Sequence, residues 1–426
     1  MFTILNYMRK LLLATLSLLL CIAGASAQTS KEELSADWNK LGGLYYAYPG
    51  PQSVQTPAPK GYKPFYISHF GRHGSRWIIN PQTYTGTYAI LKNADSLGVL
   101  TELGKTVLER VRIATDDADH RHGDLSPLGY RQHQEIAERM YNSFPEVFKA
   151  GKKVTANATK VSRVDISMFA FCDELKSHSP KLLMDVNSSD VDRPFLSDKT
   201  EEGSAWCDSD EARAIADDFF MSHVNPDRLM HSLFNSEAFI KVVDGHNLFN
   251  NLAEIATIQQ NVGKPVDLYD IFTFDELFTG WQAANLSYYV RHGSYPPKAL
   301  INQMAPISIL RHVIAKADEA IADNTMAATL RFSHDSSLVP LATCLQLDGN
   351  RGSETDFEKV YGTFANFKVS PMGGNIQIVF FRGRKGDVIV KFLLNENEVS
   401  IPVETDMYPF YKWDDVKAYY TKCYNL

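Results

Sequence analysis

The stretch Phe65 to Arg76, F-Y-I-S-H-F-G-R-H-G-S-R, runs from an apolar, strand-like segment straight into a glycine-flanked turn carrying two arginines and a histidine. Arginine's planar fork matches phosphate oxygens two at a time and stays charged. A histidine between such groups can offer one ring nitrogen as nucleophile while a hydrogen bond at the other fixes the tautomer. This combination suits attack on a phosphoryl group better than it suits packing. It also sits where ligands commonly bind in an open α/β sheet, at the C-terminal end of a strand. Gly71 and Gly74 are expected to let the backbone bend sharply and approach a ligand closely.

Around that turn the chain has an ordinary globular make-up: 426 residues, 44% hydrophobic and 22% charged, enough for a large core or two domains. The formal net charge of −7 argues against general nucleic-acid binding but leaves room for a local basic pocket that takes a small anion. Residues 1–27 differ in kind. Arg9 and Lys10 lead into an apolar run from Leu11 to Ala23 and then Ala25-Ser26-Ala27, the pattern of a signal peptide cleaved before Gln28. The run is shorter than the roughly 20 residues a membrane span needs. Its removal leaves 41 basic against 50 acidic residues, a net charge of −9. A periplasmic or secreted protein is the expectation. The four cysteines that remain, Cys172, Cys207, Cys344 and Cys423, could then pair in any of three connectivities. Asn157-Ala-Thr, Asn187-Ser-Ser and Asn285-Leu-Ser read as glycosylation sequons.

Residues 28–64 are rich in glycine and proline and are expected to form an irregular arm without catalytic content. His69 and His73 are four apart, but a stretch with two glycines in four residues is a poor helix. The pair is therefore not read as a metal site, and His69 is taken as structural. Two further R-H-G triplets occur. Arg121-His122-Gly123 lies in a polar stretch with no strand before it and reads as a solvated loop. Arg291-His292-Gly293 follows an amphipathic segment and precedes Pro296-Pro297, which is how a helix ends. Helical periodicity covers Ile90 to Ala114. The run Leu125-Ser126-Pro127-Leu128-Gly129-Tyr130-Arg131-Gln132 opens another helix reaching Tyr141, with Ser126 as N-cap and Pro127 at the first helical position. Strands are expected at Val154 to Thr159, at Ala327 to Phe332 leading into Ser333-His334-Asp335-Ser336, and as an adjacent pair at Asn375 to Phe381 and Val388 to Asn395. Residues 171–300 lack a strand-and-turn pattern and read as a mainly α-helical insertion over the mouth of a site.

Several of these stretches carry a family resemblance. Arg72-His73-Gly74-Ser75-Arg76 resembles the R-H-G-x-R signature of the histidine phosphatase superfamily, acid phosphatase and phytase branch (clade 2). Leu125 to Gln132 resembles the L-T-P-x-G-x-x-Q segment of that branch, Ala158-Thr159 with Arg163 and Ser167 its A-T-x-x-x-R-x-x-x-S pattern, and His334-Asp335 its H-D motif. Gly280 to Asn285 (G-W-Q-A-A-N) and Phe392-Leu393-Leu394-Asn395-Glu396 are similar to segments of the multiple inositol polyphosphate phosphatases. There are two departures. The H-A-E of those enzymes is His334-Asp335-Ser336 in this chain, and the usual proline after the second arginine is replaced by Trp77-Ile78.

The resemblance implies an α/β fold of the phosphoglycerate-mutase type, with a central, mostly parallel sheet flanked by helices. The catalytic domain would be discontinuous, at 28–170 and 301–426, with a smaller α-helical cap at 171–300. The chemistry implied is phosphate binding by Arg72, Arg76, Arg163 and His334, attack on phosphorus by His73 to give a phosphohistidine, and proton donation to the leaving group by Asp335. No cofactor and no metal is called for, since the arginines neutralise the charge. The expected partner is a small phosphate monoester, inositol polyphosphates first. No nucleic acid and no stable membrane insertion after signal cleavage are expected. The alternatives are a broad-specificity acid phosphatase acting on sugar phosphates, a phosphomutase of the wider superfamily, and a phosphate-ester binding protein without catalysis.

Overall fold

The computed structural model describes residues 29–263 and 266–426, so the expected signal peptide lies outside the described residues. Eight strands form one sheet: β1 (Lys63–Arg72), β2 (Lys153–Ala158), β3 (Leu183–Ser188), β4 (Met326–Ser333), β5 (Asn375–Arg382), β6 (Val388–Leu394), β7 (Asn397–Glu398) and β8 (Phe410–Lys412). Their order is β3-β2-β4-β1-β5-β6-β7, with β8 paired to β6. From β3 to β1 every pairing is parallel, and from β5 onward every pairing is antiparallel. The sheet is thus mixed rather than mostly parallel. Within the antiparallel half, β5 and β6 are joined by a tight turn in which Gly386 takes a φ of +92°, and a short turn can only return the chain antiparallel. In the parallel half, β1 is buried from Phe65 to Arg72 and β4 from Ala327 to Ser333, as strands covered on both faces must be.

The longer helices are α1 (Pro81–Ser96), α2 (Glu102–Ala118), α3 (Pro127–Ser143), α4 (Ser162–His178), α5 (Asp210–His223), α6 (Gly245–Ile258), α7 (Phe274–His292), α8 (Ile307–Ala322), α9 (Asp335–Cys344) and α10 (Trp413–Tyr424). Helices α3 and α4 cover one face of the sheet, where Ile136, Met140, Val164, Met168 and Phe171 pack on Ala328, Leu330 and Phe332. Helices α8, α9 and α10 cover the other face around Tyr66, Phe70, Ile378, Phe380 and Phe392. A third core joins Leu91, Val107 and Val111 of α1 and α2 to Leu248, Leu252, Phe278 and Trp281 of α6 and α7.

These cores redraw the expected boundaries. The helical lobe recruits α1 and α2, which precede the stretch read as the insertion. Helix α4 runs across residue 171, and β3, inside the supposedly helical 171–300, pairs with β2 at the sheet edge. Strand β3 is short and largely exposed, so it carries no apolar run to declare itself. The single helix expected over Ile90 to Ala114 is two. Gly98 at φ +68° turns the chain, and Thr101 caps the second helix by accepting from the Gly104 N–H. The sequons serve structure. Asn157 and Asn187 both donate to Asp192, at 2.9 and 2.7 Å, and buried Asn285 donates to the Phe364 carbonyl at 2.8 Å. All four cysteines of the described chain are free thiols, three of them buried. Among the described residues no helix is long and apolar enough to cross a membrane.

The Leu394-Asn395-Glu396 run closes the β6 end of the sheet, with Asn395 and Glu396 both in the left-handed region. The Glu396 carboxylate is buried and accepts from Arg139 Nη2 of α3 at 2.8 Å, Arg139 Nε at 3.0 Å and the Tyr48 hydroxyl at 2.6 Å. The Arg139 side chain is 30% exposed, so it is loss of Arg139 that would strand a buried charge, typically at about 3 kcal/mol or more. Arg139→Ala should therefore lower the free energy of unfolding in urea by about 3 kcal/mol, and Glu396→Ala, which leaves a guanidinium that water can reach, by less. A loss below about 1 kcal/mol would place the pair among solvent-screened ones.

Candidate active site

The site is built by the register of three parallel strands. β1, β4 and β2 end side by side, with Arg72 opposite Ser333 and Ala158 opposite Phe332. The chains stay paired for one more step, as the His73 N–H donates to the Ser333 carbonyl and the Thr159 N–H to the Phe332 carbonyl, both at 3.1 Å. Three separated motifs thus converge: Arg72 to Arg76, His334-Asp335, and Thr159 to Arg163.

Neutral groups hold Arg72 and Arg76 in place. Buried Arg72 donates through Nη1 to the carbonyls of Leu44 at 2.7 Å and Ser370 at 2.6 Å, and its Nη2 lies 3.6 Å from Asp335 Oδ1. Arg76 donates to the Trp77 carbonyl at 2.8 Å and stands over the Tyr45 ring at 5.3 Å. The arm at 28–64, expected to lack catalytic content, supplies Leu44 and Tyr45 to hold two of the arginines. The buried Nε–H groups of Arg72, Arg76 and Arg163 have no hydrogen-bond partner among the described residues. Asp335 is there the one carboxylate within 4.0 Å of any of the three guanidinium groups. Burial, then Arg76, pushes the Arg163 pKa down to about 10. Positive charge is crowded here and awaits an anion.

His73 is buried with its Nδ1 at 2.9 Å from the Gly74 carbonyl. That contact requires the proton on Nδ1 and leaves the Nε2 lone pair for chemistry. Burial, followed by Arg72, Arg76, Arg163 and His334, holds the His73 pKa well below the ordinary imidazole value, which favours the neutral, nucleophilic ring. The His334 ring lies edge-on to His73 with centroids 5.6 Å apart, and its Nε2 is 3.1 Å from Thr159 Oγ1. Burial, then Arg163, pushes its pKa down to about 4. Asp335, the first residue of α9, accepts a hydrogen bond at Oδ2 from the partly buried Tyr288 hydroxyl of α7. Burial alone would raise the Asp335 pKa, but Arg72, the Tyr288 hydrogen bond, Arg76 and His334 together hold it below the usual carboxylate range.

The glycines act differently from expectation. Neither Gly71 nor Gly74 has a positive φ. A Cβ on Gly74 would lie 2.4 Å from the Gly129 carbonyl oxygen, and one on Gly129 would lie 2.2 Å from the Ser75 carbonyl oxygen. The two backbones are pressed together, and the helix end that meets the loop also binds it. The Ser75 N–H donates to Gln132 Oε1 and the Ser126 N–H to the Ser75 carbonyl, both at 2.8 Å. This explains the Leu125 to Gln132 run as a clamp on the arginine loop. Ser167 does similar work, accepting from the Gly74 N–H at 3.2 Å while donating to the Arg163 carbonyl at 2.8 Å.

All six residues singled out from the sequence, Arg72, His73, Arg76, Arg163, His334 and Asp335, meet here. Thr159, Gln132 and Tyr288 join them without having been assigned to the site. Thr159 lies inside the Ala158 to Ser167 pattern and Gln132 ends the Leu125 to Gln132 run. Tyr288 follows Trp281 by seven residues on one helix face, a spacing that reads as packing. The Arg121-His122-Gly123 loop, read as solvated, is only partly so: Gly123 is buried, and a Cβ there would lie 3.7 Å from Arg163 Nη1. The Arg291 triplet ends α7 as expected. His69 is buried between Phe171 and Phe332, at centroid distances of 5.1 and 5.2 Å, and belongs to the core.

Crowded cations destabilise an empty site and reward an occupied one. A ligand at a hundred times its Kd stabilises the folded state by about 2.7 kcal/mol. Inorganic phosphate should thus raise the melting temperature of the wild type. Arg163→Met, which keeps the apolar stem, should melt no lower than wild type without phosphate and lose most of that gain. Equal stabilisation of both by phosphate would remove Arg163 from the cradle.

Residues 70–395 match the family model described as histidine phosphatase superfamily (branch 2). No curated protein matches the chain. Among solved structures, the Bifidobacterium longum multiple inositol polyphosphate phosphatase in complex with inositol hexasulfate aligns with a TM-score of 0.74 at 18% identity, covering 89% of this chain and 97% of that one. Its complex with phosphate gives 0.75 at 17% identity, covering 90% and 98%. The phytase from D. castellii gives 0.66 at 15% identity, covering 90% and 85%. At such identities these likenesses speak for the fold, while the family match spans most of the chain. The chain therefore belongs to branch 2 of the histidine phosphatase superfamily and is a phosphomonoesterase of that family.

Proposed function

We propose that this phosphatase acts on inositol polyphosphates through a phosphohistidine on His73, and that it is exported. The observation that carries the reading is a neutral, buried imidazole with Nε2 free, set among Arg72, Arg76, Arg163 and His334 with Asp335 alongside. The fold shared with a phosphatase that binds inositol hexasulfate supports the substrate class. The pattern of residues 1–27 supports export.

The substrate phosphate takes the unpartnered donors of the three arginines together with His334, which hold its negative charge as it redistributes. His73 Nε2 forms a bond to phosphorus in line with the ester oxygen, and the phosphorus–oxygen bond to the alcohol breaks. The leaving alkoxide takes the proton of Asp335. Arg72, shared between that carboxyl and the bound dianion, no longer favours the carboxylate alone, and the neighbouring negative charge raises its proton affinity. Water then attacks phosphorus, Asp335 takes its proton, and the phosphorus–nitrogen bond breaks to free phosphate and His73.

Two measurements test this. Wild-type enzyme quenched in alkaline detergent during turnover should carry labelled phosphate on His73, and His73→Ala should fold but neither carry label nor turn over. Normal activity in the alanine variant would end the assignment. Asp335→Asn should slow alkyl esters such as phytate by roughly 10²- to 10⁴-fold, the usual span for general acid catalysis, while p-nitrophenyl phosphate, whose leaving group needs little protonation, loses far less in a single turnover. Equal losses on both would place the proton donor elsewhere.

A further inference from the structure

We propose that Tyr288 is a positioning residue for Asp335: its phenol, reaching in from the helical lobe, occupies Oδ2, so that the transferable proton is carried on Oδ1. The inference rests on the phosphatase reading above. It assigns a part to a residue outside the Arg72 to Arg76, Ala158 to Ser167 and His334-Asp335 motifs.

Tyr288 is fixed before it meets Asp335. On the same face of α7, Trp281 Nε1 donates to Asn366 Oδ1 at 3.0 Å, and Asn285 both donates to the Phe364 carbonyl and accepts from the Asn366 N–H, each at 2.8 Å. One turn beyond Tyr288, the His292 ring packs on it with centroids 5.2 Å apart, and the His292 carbonyl accepts from Thr343 Oγ1 of α9 at 2.7 Å. Helices α7 and α9 are therefore tied at two points, His292 to Thr343 and Tyr288 to Asp335. A partly buried phenol so held keeps its hydroxyl aimed at one carboxylate oxygen.

A carboxyl group carries its proton on either oxygen. With Oδ2 already accepting from a phenol, a proton there would weaken that bond or turn it round, whereas a proton on Oδ1 keeps it. Oδ1 is also the oxygen near Arg72 Nη2, at 3.6 Å, and so points toward the phosphate cradle. The charged and titratable groups that face Asp335 are Arg72 and Arg76 from the β1 end, Arg163 from α4, His334 from the β4 end and His292 from α7, with Arg291 acting on Tyr288 from behind. The cations all favour the carboxylate and do not choose between its oxygens by a bond. Tyr288 is the neutral donor that does. The same hydrogen bond is stronger to the ionised form, so deleting it raises the proton affinity of Asp335.

Tyr288→Phe removes one oxygen and keeps the ring. Its kcat on phytate or glycerol phosphate should fall roughly tenfold with KM little changed, at the lower end of general acid effects. Single-turnover phosphorylation by p-nitrophenyl phosphate should hold to within about twofold, since that leaving group needs little protonation. The alkaline limb of kcat should move up by about one pH unit, the worth of one hydrogen bond to a buried carboxylate. In an Asp335→Asn background the substitution should add nothing. Incorporating 3-fluorotyrosine at position 288, a stronger donor of nearly the same shape, should move the limb the other way. Equal losses on alkyl and aryl esters, an unmoved limb, or additive effects in the double variant would overturn the proposal. A readout free of turnover separates it from the parent reading. In protein labelled with ¹³C at the aspartate carboxyls, the Asp335 signal, identified by its absence in Asp335→Asn, should titrate at higher pH in Tyr288→Phe. An unchanged midpoint overturns the role of Tyr288. Absence of phosphatase turnover in the wild type would instead overturn the reading of the site.

Discussion

The structure depends on holding like charges together without neutralising them. Three guanidinium groups meet at adjacent strand ends beside two imidazoles whose pKa values are pushed down, and carboxylates would be the obvious way to bind the arginines. The fold uses carbonyl oxygens and an aromatic face instead: Leu44 and Ser370 for Arg72, Trp77 and Tyr45 for Arg76, Gly74 for His73. Dipoles of this kind fix direction while leaving the charge available to a ligand. A ring of carboxylates would have filled the site with its own counter-ions.

That arrangement obliges remote segments to become part of the site. The Ser370 carbonyl is in place because Asn395 reaches across from the β6 end, donating to the Lys368 carbonyl at 2.7 Å and accepting from the Asn375 N–H at 2.9 Å. The Arg72 N–H itself donates to the Gly374 carbonyl at 2.9 Å. Runs that look like binding motifs by resemblance, such as Phe392 to Glu396, turn out to brace the loop that braces an arginine. The close contact of Gly74 with Gly129 works in the same way, substituting backbone proximity for side-chain contact.

The site was more legible in the sequence than the fold around it. Its residues sit at the ends of strands whose apolar runs are strong, and their types are chemically pointed, so Arg72, His73, Arg76, His334 and Asp335 announce themselves. Arg163 needed its surrounding pattern, because a lone arginine after a strand looks like surface. The lobes were less legible because boundaries depend on which apolar faces meet in space. Helices α1 and α2 share a core with α6 and α7 across more than a hundred residues of chain, a pairing that periodicity alone does not encode. Strand β3 was hidden for the opposite reason, since an exposed edge strand lacks the apolar signature of a buried one. Tyr288 was hidden by resembling a core aromatic, and its ring does pack against one of the cores.

The four thiols give the fold an independence of another kind. Cys172, Cys207 and Cys344 are enclosed in the packed interior, Cys423 stands alone at the surface, and no covalent cross-link ties one part of the described chain to another. Cohesion comes from three apolar cores and buried hydrogen bonds. Among the described residues there is no disulfide for a reducing medium to open. An oxidising medium would still meet one accessible thiol, Cys423.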